Sequence, residues 1–510
     1  MNEVVVPAAL LGLHQPDQMP DQFLLGRLDT VPAGWEQRSL HGWTLGSHPS
    51  LPVMEVMVAD AAAGWLLGYP VHDRDGLLTA GDRVALAGWE QPQVNQLLWE
   101  LGGRYLLLLV HPRCARVFPD PVGSLSCVYS AHHRMVAATP LLIPYCEDCG
   151  DQEDLIRQVA IPDSGANYPL GMLPRADLER LLPNHSLSLT AWEADRIWPG
   201  PGPMAKNADS AAVVAEIARI VSHQLAAIAA KFELQLGLTA GQDSRLILAC
   251  ARAVRRRLVC YTLDLGDPKA ELDCFCARAV ARQAGVPHRR IGPKPPLPAD
   301  YTLWLYRTGC SVGEPGGWRI IDQRRALDPD RVELVGLVGE LGRAFYGNLA
   351  GIEPDSALAD RLLECAAFPR TSAARQRIQV WLQEFAQLDP IDRLDLYYLE
   401  QRLGAWGGVW PYAEAGAARF IFFPLAHRRV VELMFALPLA YLRGGTLSRD
   451  VIASVWPELN GFPVNTPFGS LALRTVFRKA LGMAGKVLRD PMKYVRKVGT
   501  RGRGRRSTDA

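Results

Sequence analysis

The chain has 510 residues, 48% of them hydrophobic and 21% charged, and this length favours two to four domains. Its formal net charge of +2 gives no field strong enough to indicate a nucleic-acid or membrane partner. Ten cysteines without disulfide-framework spacing are typical of a reducing compartment, so we expect a cytoplasmic protein. No basic leader precedes an apolar segment, and no window approaches about eighteen uninterrupted apolar residues. We therefore predict neither secretion nor a membrane span.

The first part of the chain is predicted to be rich in short strands. Apolar runs follow one another at about ten-residue spacing: 105–110, 115–118, 127–130 and 135–139. This spacing indicates an antiparallel sheet layer. The segment 197–207, with Trp-Pro-Gly-Pro-Gly-Pro in its middle, is the clearest linker.

Beyond the linker, predicted strands alternate with predicted helices. Asp209 or Ser210 can begin a helix whose apolar residues follow helical spacing as far as Ile228. The following elements are strand 233–238, helix 244–256, strand 258–263, helix 270–284 and strand 288–291. This alternation predicts a parallel sheet covered on both faces. The later chain is mainly helical, including 391–403 and 428–436, with a further strand at 333–337.

A loop of small residues joins the first predicted strand of this series to its helix. It reads Leu-Thr-Ala-Gly-Gln-Asp-Ser from Leu238 to Ser244. Such a loop presents backbone N–H groups and the positive end of the helix dipole to an anion. Thr239 and Ser244 add hydroxyl donors, and Gly241 lets phosphate oxygens approach the backbone.

Asp243 lies in the same loop, where its negative charge would repel a phosphate. Its presence there indicates Mg²⁺, which can bridge carboxylate and phosphate oxygens. The loop differs from the G-x-x-x-x-G-K-[ST] phosphate-binding pattern. Turns rich in glycine and serine also arise for purely steric reasons, so the loop alone leaves a structural role open. Its position after the first strand of the series favours a ligand site.

The loop resembles the Ser-Gly-Gly-x-Asp-Ser pyrophosphate loop of the ATP pyrophosphatases, specifically that of the asparagine synthetase family. Residues 268–273, which include Glu271, resemble the second acidic segment of that family. The sequence Gly-Leu-Val-Gly-Glu-Leu-Gly-Arg at 336–343 is similar to its Gly-x-Gly-Gly-Asp-Glu loop.

Three further segments carry the same resemblance. Residues 399–402 are similar to the Leu-Glu-x-Arg segment of the synthetases, and residues 423–428 to their Pro-Phe-Leu-Asp segment. Residues 118–124 resemble the Arg-Asp-Pro-Leu-Gly turn of the glutaminase domain. The resemblance covers most of residues 85–470.

The resemblance implies an α/β protein of two domains. Residues 1–196 would form a degenerate glutamine amidotransferase domain, an αββα sandwich of the Ntn type. Residues 208–485 would form a parallel-sheet PP-loop domain with extra helices, and residues 486–510 a basic, disordered tail.

The resemblance also implies the cofactors ATP and Mg²⁺. The family's nucleotide-binding positions fall on Leu238, Thr239, Gly241, Asp243, Ser244 and Leu263, the two leucines through their backbone near adenine. Asp243 and Glu340 would hold the metal ion.

The chain departs from the family at the glutaminase nucleophile. The family has a cysteine directly after the initiator methionine, whereas this chain has Asn2, and its first cysteine is Cys114. An amide cannot replace a thiolate nucleophile. We therefore expect no glutaminase activity, and nitrogen would come from ammonia, a substrate amine or a separate partner protein.

The second part of the chain also departs from the family pattern. Ala240 replaces a glycine, Glu340 an aspartate, Arg343 an apolar residue and Ala426 an aspartate. Residues 464–470, where the family carries its catalytic lysine, contain none, and the nearest downstream candidates are Lys479 and Lys486. The catalytic residue therefore stays unassigned.

These observations predict an ATP-dependent, AMP-forming ligase. It would adenylate a small-molecule or peptide carboxylate, release pyrophosphate and form an amide with ammonia or an amine. Three alternatives stay open: a non-catalytic scaffold, a ring-closing synthetase of the lasso-peptide or β-lactam type, and sulfur or nitrogen transfer to RNA. The synthetase-like second half makes the nucleic-acid alternative the least favoured.

Overall fold

The computed structural model describes residues 18–144, 153–161, 163–200, 202–206, 208–314, 316–472 and 474. Asn2, Lys479, Lys486 and the tail predicted at 486–510 lie outside these residues. The fold is mixed α/β, with two largely antiparallel sheets in the first part and a parallel sheet in the second.

The first two sheets contain the strands β1 to β14. Their bounds are β1 Phe23–Gly26, β2 Glu36–Leu40, β3 Trp43–Ser47, β4 Val53–Val58, β5 Ala61–His72, β6 Gly76–Leu77, β7 Arg83–Leu86, β8 Leu101–His111, β9 Cys114–Pro119, β10 Val128–Ser130, β11 Met135–Ala137, β12 Glu179–Arg180, β13 His185–Ser188 and β14 Ala194–Arg196. One sheet has the order β12-β10-β11-β1-β3-β2. The other has the order β14-β13-β9-β8-β5-β4-β7, with β6 paired to β5. The β4–β7 pairing is parallel.

Strand β8 shows why its apolar run is continuous. Leu106 and Leu108 lie in the core cluster shared with the first sheet, whereas Leu107 and Leu109 lie in a second cluster with helix α1, Gln91–Glu100. Successive side chains of a strand point to opposite faces, so both faces of β8 are covered. The Ntn-type αββα assignment of this part stays a prediction.

The parallel sheet has the order β17-β16-β15-β18-β19. Its strands are β15 Leu234–Gly237, β16 Leu258–Leu263, β17 His288–Ile291, β18 Val332–Leu334 and β19 Ile421–Phe422, and all of their pairings are parallel. Four of these five strands were predicted from the sequence, and β19 was not. The order runs outward in one direction from β15 to β17 and in the other from β18 to β19. The chain connections therefore reverse direction between the paired neighbours β15 and β18, which makes this position a topological switch point.

The remaining helices connect and cover these sheets. Their bounds are α2 Glu153–Val159, α3 Ser210–Lys231, α4 Asp243–Cys250, α5 Pro268–Ala284, α6 Pro298–Thr308, α7 Ile321–Arg324, α8 Asp355–Cys365, α9 Ser372–Glu384, α10 Pro390–Tyr397, α11 Trp410–Ala413, α12 Arg428–Ala436, α13 Leu439–Gly444 and α14 Leu447–Val455. Short 3₁₀ helices lie at Pro140–Leu142, Arg252–Arg257, Trp318–Ile320, Gly339–Arg343, Gly347–Leu349 and Pro457–Gly461, and a π-helix at Tyr398–Gly407. The helix predicted at 244–256 thus ends as an α-helix at Cys250.

Helix α3 is long and apolar enough, by length and composition, to cross a membrane. Half of that apolar window is buried inside the protein. The side chain of Asp209 accepts the Ala211 N–H at 3.1 Å and so caps the helix, as predicted. Buried residues such as Ile217 and Leu225 place one face of α3 in the main core. A buried core helix meets the same length and composition criteria as a membrane span.

The segment 399–402 joins the two parts of the chain. Glu400 is fully buried and accepts hydrogen bonds from Trp381 Nε1 at 2.8 Å, from Asn184 Nδ2 at 3.3 Å and from Arg196. Gln401 accepts the Leu170 N–H at 2.5 Å. The segment 399–402 therefore anchors the first part of the chain to the second.

Candidate functional site

Two loops leave the carboxyl ends of β15 and β18, on either side of the switch point. The first comprises residues 238–242 and leads into α4. The second comprises residues 335–338 and leads into the 3₁₀ helix Gly339–Arg343. Ligands of open parallel sheets bind in the crevice outside such strand ends. The loop singled out from the sequence therefore lies at the strand ends where sheets of this kind bind ligands.

Glycines allow the second loop to pack directly against the first turn of α4. A Cβ atom at Gly336 would lie 2.9 Å from the carbonyl carbon of Asp243 and 3.0 Å from the Ser244 nitrogen. A Cβ atom at Gly339 would lie 2.7 Å from Oδ1 of Asp243. The two predicted loops thus form one site.

Three successive backbone donors of the first loop have partners within the protein. The Gly241 N–H donates to Thr239 Oγ1 at 3.1 Å, and the Thr239 N–H donates to Ser244 Oγ at 3.2 Å. The Ala240 N–H donates to Oδ1 of Asp273 at 2.8 Å. An anion at this loop would replace these acceptors, because backbone N–H groups at a helix start bind anions readily.

Asp273 is a site residue that the sequence reasoning missed. The acidic segment 268–273 was assigned through Glu271, and the structure shows that Asp273 of the same segment contacts the loop. Both residues lie on α5, which begins after its cap Asp267. The rotation of α5 decides which carboxylate faces the loop, and the local sequence does not indicate that rotation.

Arg343 binds Asp243 with a two-point ion pair. Nη1 donates to Oδ1 at 2.6 Å and Nη2 donates to Oδ2 at 2.9 Å. Nη2 also lies 3.3 Å from Oε1 of Glu340. A 3₁₀ helix has three residues per turn, so Glu340 and Arg343 lie on the same side of it. The hydroxyl of Ser448 completes the contacts of Asp243 at 3.4 Å.

Burial and neighbouring charges shift the pKa values of Glu340 and Arg343. Burial raises the pKa of Glu340 above its ordinary value, and the charge of Asp243 adds to the shift, whereas Arg343 opposes it. Burial alone would lower the pKa of Arg343, but the hydrogen bonds that it donates to Asp243 and the charges of both carboxylates raise it. Arg343 therefore stays positively charged at neutral pH.

The backbone is strained on both sides of the second loop's 3₁₀ helix. Val338 has a φ of 79° and Ala344 a φ of 49°. A β-branched residue at such a φ is rare, and the strain costs about 1–3 kcal/mol per residue. Strained residues of this kind cluster at functional sites, where the surrounding packing holds them.

The predicted metal ligands, Asp243 and Glu340, do lie together, but both carboxylates contact Arg343. Within the described residues, no group of three or more His, Cys, Asp or Glu side chains could hold a metal ion. Because both predicted ligands already contact Arg343, its positive charge opposes Mg²⁺ at this position. The sequence-based Mg²⁺ assignment stays a prediction.

A late segment of the chain covers the first loop. Arg245 is buried and donates to the carbonyl of Phe462 at 2.7 Å and to that of Pro463 at 3.2 Å. The Asn465 N–H donates to the Ala240 carbonyl at 3.1 Å. Asn465 lies within residues 464–470, where the family resemblance expects a catalytic lysine that this chain lacks.

Leu238 and Leu263, whose backbone the resemblance places near adenine, lie at the ends of the neighbouring strands β15 and β16. The Leu238 N–H donates to the Tyr261 carbonyl at 2.8 Å, and the Leu238 carbonyl accepts the Thr262 hydroxyl at 2.7 Å. That hydroxyl also lies 2.9 Å from Nε2 of His288, which must be the donor because the Thr262 proton is already used. Leu263, the last residue of β16, is half-buried beside this chain of contacts.

A polar cleft of about 750 Å³ opens beyond the ends of β16 and β17. Its lining includes Asp264, Glu271, Cys274, His288 and Arg290. Small-molecule sites occupy about 300–1,000 Å³, so the cleft can accept a nucleoside-sized group. Cys274 adjoins Asp273, which places the cleft next to the first loop.

No family model matches the chain, and no curated protein matches it. Among solved structures, the chain is similar to the glutamine-dependent NAD+ synthetase from Acinetobacter baumannii in complex with adenosine diphosphate, with 13% identity and a TM-score of 0.20. The match covers 44% of this chain and 41% of that chain, so less than half of the synthetase is spanned.

Proposed function

We propose that the chain is an ATP-dependent ligase of the asparagine synthetase type that joins a carboxylate to an amine. The observation that carries the proposal is the meeting of the two loops at the switch point of the parallel sheet. Gly336 and Gly339 pack there against the first turn of α4. This arrangement gathers hydroxyl and N–H donors at the place where α/β sheets bind nucleotides.

The proposed reaction has two steps. An oxygen of the substrate carboxylate attacks the α-phosphorus of ATP, and the bond to pyrophosphate breaks. An amine or ammonia then attacks the acyl carbon, loses a proton and displaces AMP. Donors aimed at the departing pyrophosphate lower the barrier of the first step, because charge develops on that group.

The loop residues have defined roles in this proposal. Thr239, Gly241 and Ser244 offer hydroxyl and backbone donors to the phosphates once their internal acceptors are displaced. The adenosine would occupy the cleft beyond Leu263. The cleft has a volume of about 750 Å³, which suffices for an adenosine. Asp243 orients Arg343 through their two-point contact.

ATP–pyrophosphate exchange with a panel of carboxylic acids tests the proposal. We expect exchange with at least one acid, and Asp243→Ala should lower its rate about a hundredfold, as loss of an oriented charge contact does. Asp195→Ala is the matched control, because it breaks an Arg–Asp pair on the first part of the chain. Wild-type protein that neither binds ATP nor supports exchange would refute the ligase.

A second candidate is a nucleotide-binding scaffold that has lost the chemistry. The contact of Arg343 with both predicted metal ligands favours it. ATP binding without exchange for any acid would support the scaffold, whereas exchange that depends on Asp243 would exclude it.

A further inference from the structure

Arg343 occupies the position between the two carboxylates that the sequence assigns to a metal ion. A guanidinium has five N–H donors and no acceptor. Asp243 and Glu340 engage at most three of these donors. The Arg343 side chain is 32% exposed, so its other donors can meet a ligand from solvent.

A guanidinium in this position can perform part of the electrostatic task of a divalent cation. Its single positive charge offsets one of the two carboxylate charges and lies at the first turn of α4, the helix that carries Ser244. Mg²⁺ requires nearly octahedral oxygen coordination at about 2.1 Å. The charge-assisted hydrogen bonds from Arg343 compete with a metal ion for the Asp243 oxygens, and the positive charge of Arg343 repels a cation at the same place.

We propose that Arg343 replaces the divalent cation at this site, so that the chain binds the polyphosphate of a nucleotide without Mg²⁺. The identity of the ligand rests on the proposed function, whereas the exclusion of a metal ion rests on the contacts of Arg343 alone. Arginine suits this role because its fork matches the oxygen atoms of phosphate groups and stays charged.

The first experiment uses a metal ion alone. Mn²⁺ is titrated into the full chain and followed by electron paramagnetic resonance. We expect no Mn²⁺ bound through Asp243 in the wild type and a new site in Arg343→Leu, which the added substitution Asp243→Asn should remove. Wild-type Mn²⁺ binding that Asp243→Asn abolishes would overturn the proposal, as would an Arg343→Leu protein that binds no Mn²⁺.

The second experiment measures ATP affinity by calorimetry in EDTA and in excess MgCl₂. We expect the wild type to bind equally well in both. Arg343→Leu should bind at least about tenfold more weakly in EDTA and regain affinity with MgCl₂, because a hydrogen bond to a charged group contributes about 1.5–3 kcal/mol. Arg116→Leu, which breaks the Arg116–Asp195 pair, is the control. Arg343→Gln repeats the measurement if the leucine variant fails to fold.

The two experiments separate this proposal from the proposed function. Wild-type ATP binding that requires Mg²⁺ would overturn the role of Arg343 and leave the ligase standing. Wild-type protein without ATP binding in either buffer would refute nucleotide binding. The Mn²⁺ titration would then still decide whether Arg343 excludes a metal ion.

Discussion

Arg343 and Asp243 are 100 positions apart in the sequence, and their side chains form two hydrogen bonds of 2.6 and 2.9 Å. The pair ties the loop after β18 to the first turn of α4. It also places a fixed positive charge at the switch point of the parallel sheet. The charge of this site therefore depends on a contact between two separate loops.

This ion pair should contribute measurably to stability. A double-mutant cycle of Arg343→Leu and Asp243→Asn should give a coupling energy of about 1–3 kcal/mol, because the pair is charge-assisted and largely buried. Chemical denaturation of the four proteins measures it. The more exposed pair Arg116–Asp195 should give less than about 1 kcal/mol. Additive effects of the two substitutions would contradict the expectation.

Gly336 should not tolerate a side chain. Gly336→Ala places a Cβ atom 2.9 Å from the backbone of Asp243, so the two loops must separate. We expect a loss of about 1–3 kcal/mol in unfolding free energy, together with weaker ATP binding. Gly292→Ala is the control, because its Cβ atom would meet nothing within 4 Å. Equal stability of both variants would show that the loops do not pack as described.

A buried ionic cluster beneath the sheet should make stability depend on pH. Arg324 Nη2 donates to Glu333 at 2.5 Å, and Arg324 Nε lies 2.8 Å from Glu414. One positive charge thus faces two buried carboxyl groups. Burial is the main cause that raises the pKa of Glu414 from 4.5 to about 8.

The folded state therefore keeps a proton on Glu414 that the unfolded chain loses near pH 4.5. The resulting stabilisation is fully present below about pH 4.5 and is lost as the pH rises to about 8. Glu414→Gln should flatten the fall of the thermal midpoint between about pH 6 and pH 8. Glu458→Gln, at an exposed carboxylate, is the control. An unchanged slope in Glu414→Gln would contradict the assignment.

Arg196 offers a comparison between a buried and an exposed carboxylate. It contacts Glu400, which is fully buried, and Glu384, whose side chain is 49% exposed. Glu400→Ala should cost about 3–5 kcal/mol, because it removes the buried partner of Arg196 and the acceptor of the Trp381 and Asn184 hydrogen bonds. Glu384→Ala should cost less than about 1 kcal/mol. Denaturation midpoints of the two variants check this order, and similar values would contradict it.

Local sequence patterns predicted much of the second part of the chain. The strands at 258–263 and 288–291 and the helix at 428–436 have the bounds that the sequence indicated. The two-residue strand β19 was missed, because such a short run has no detectable period. Helix 391–403 was predicted as one element but changes at Tyr398 to a π-helix, whose hydrogen-bond pattern the residue spacing does not reveal.

The sequence by itself also determined the first loop of the site. Thr239, Gly241, Asp243 and Ser244 are brought together because they are neighbours in a turn that begins a helix. The tertiary structure decided what these residues face. The order of β15 and β18 brings Arg343 to Asp243, the rotation of α5 brings Asp273 to the Ala240 N–H, and a late segment adds Asn465. Contacts between segments more than thirty residues apart depend on strand order and helix rotation, which the residues of a single loop do not encode.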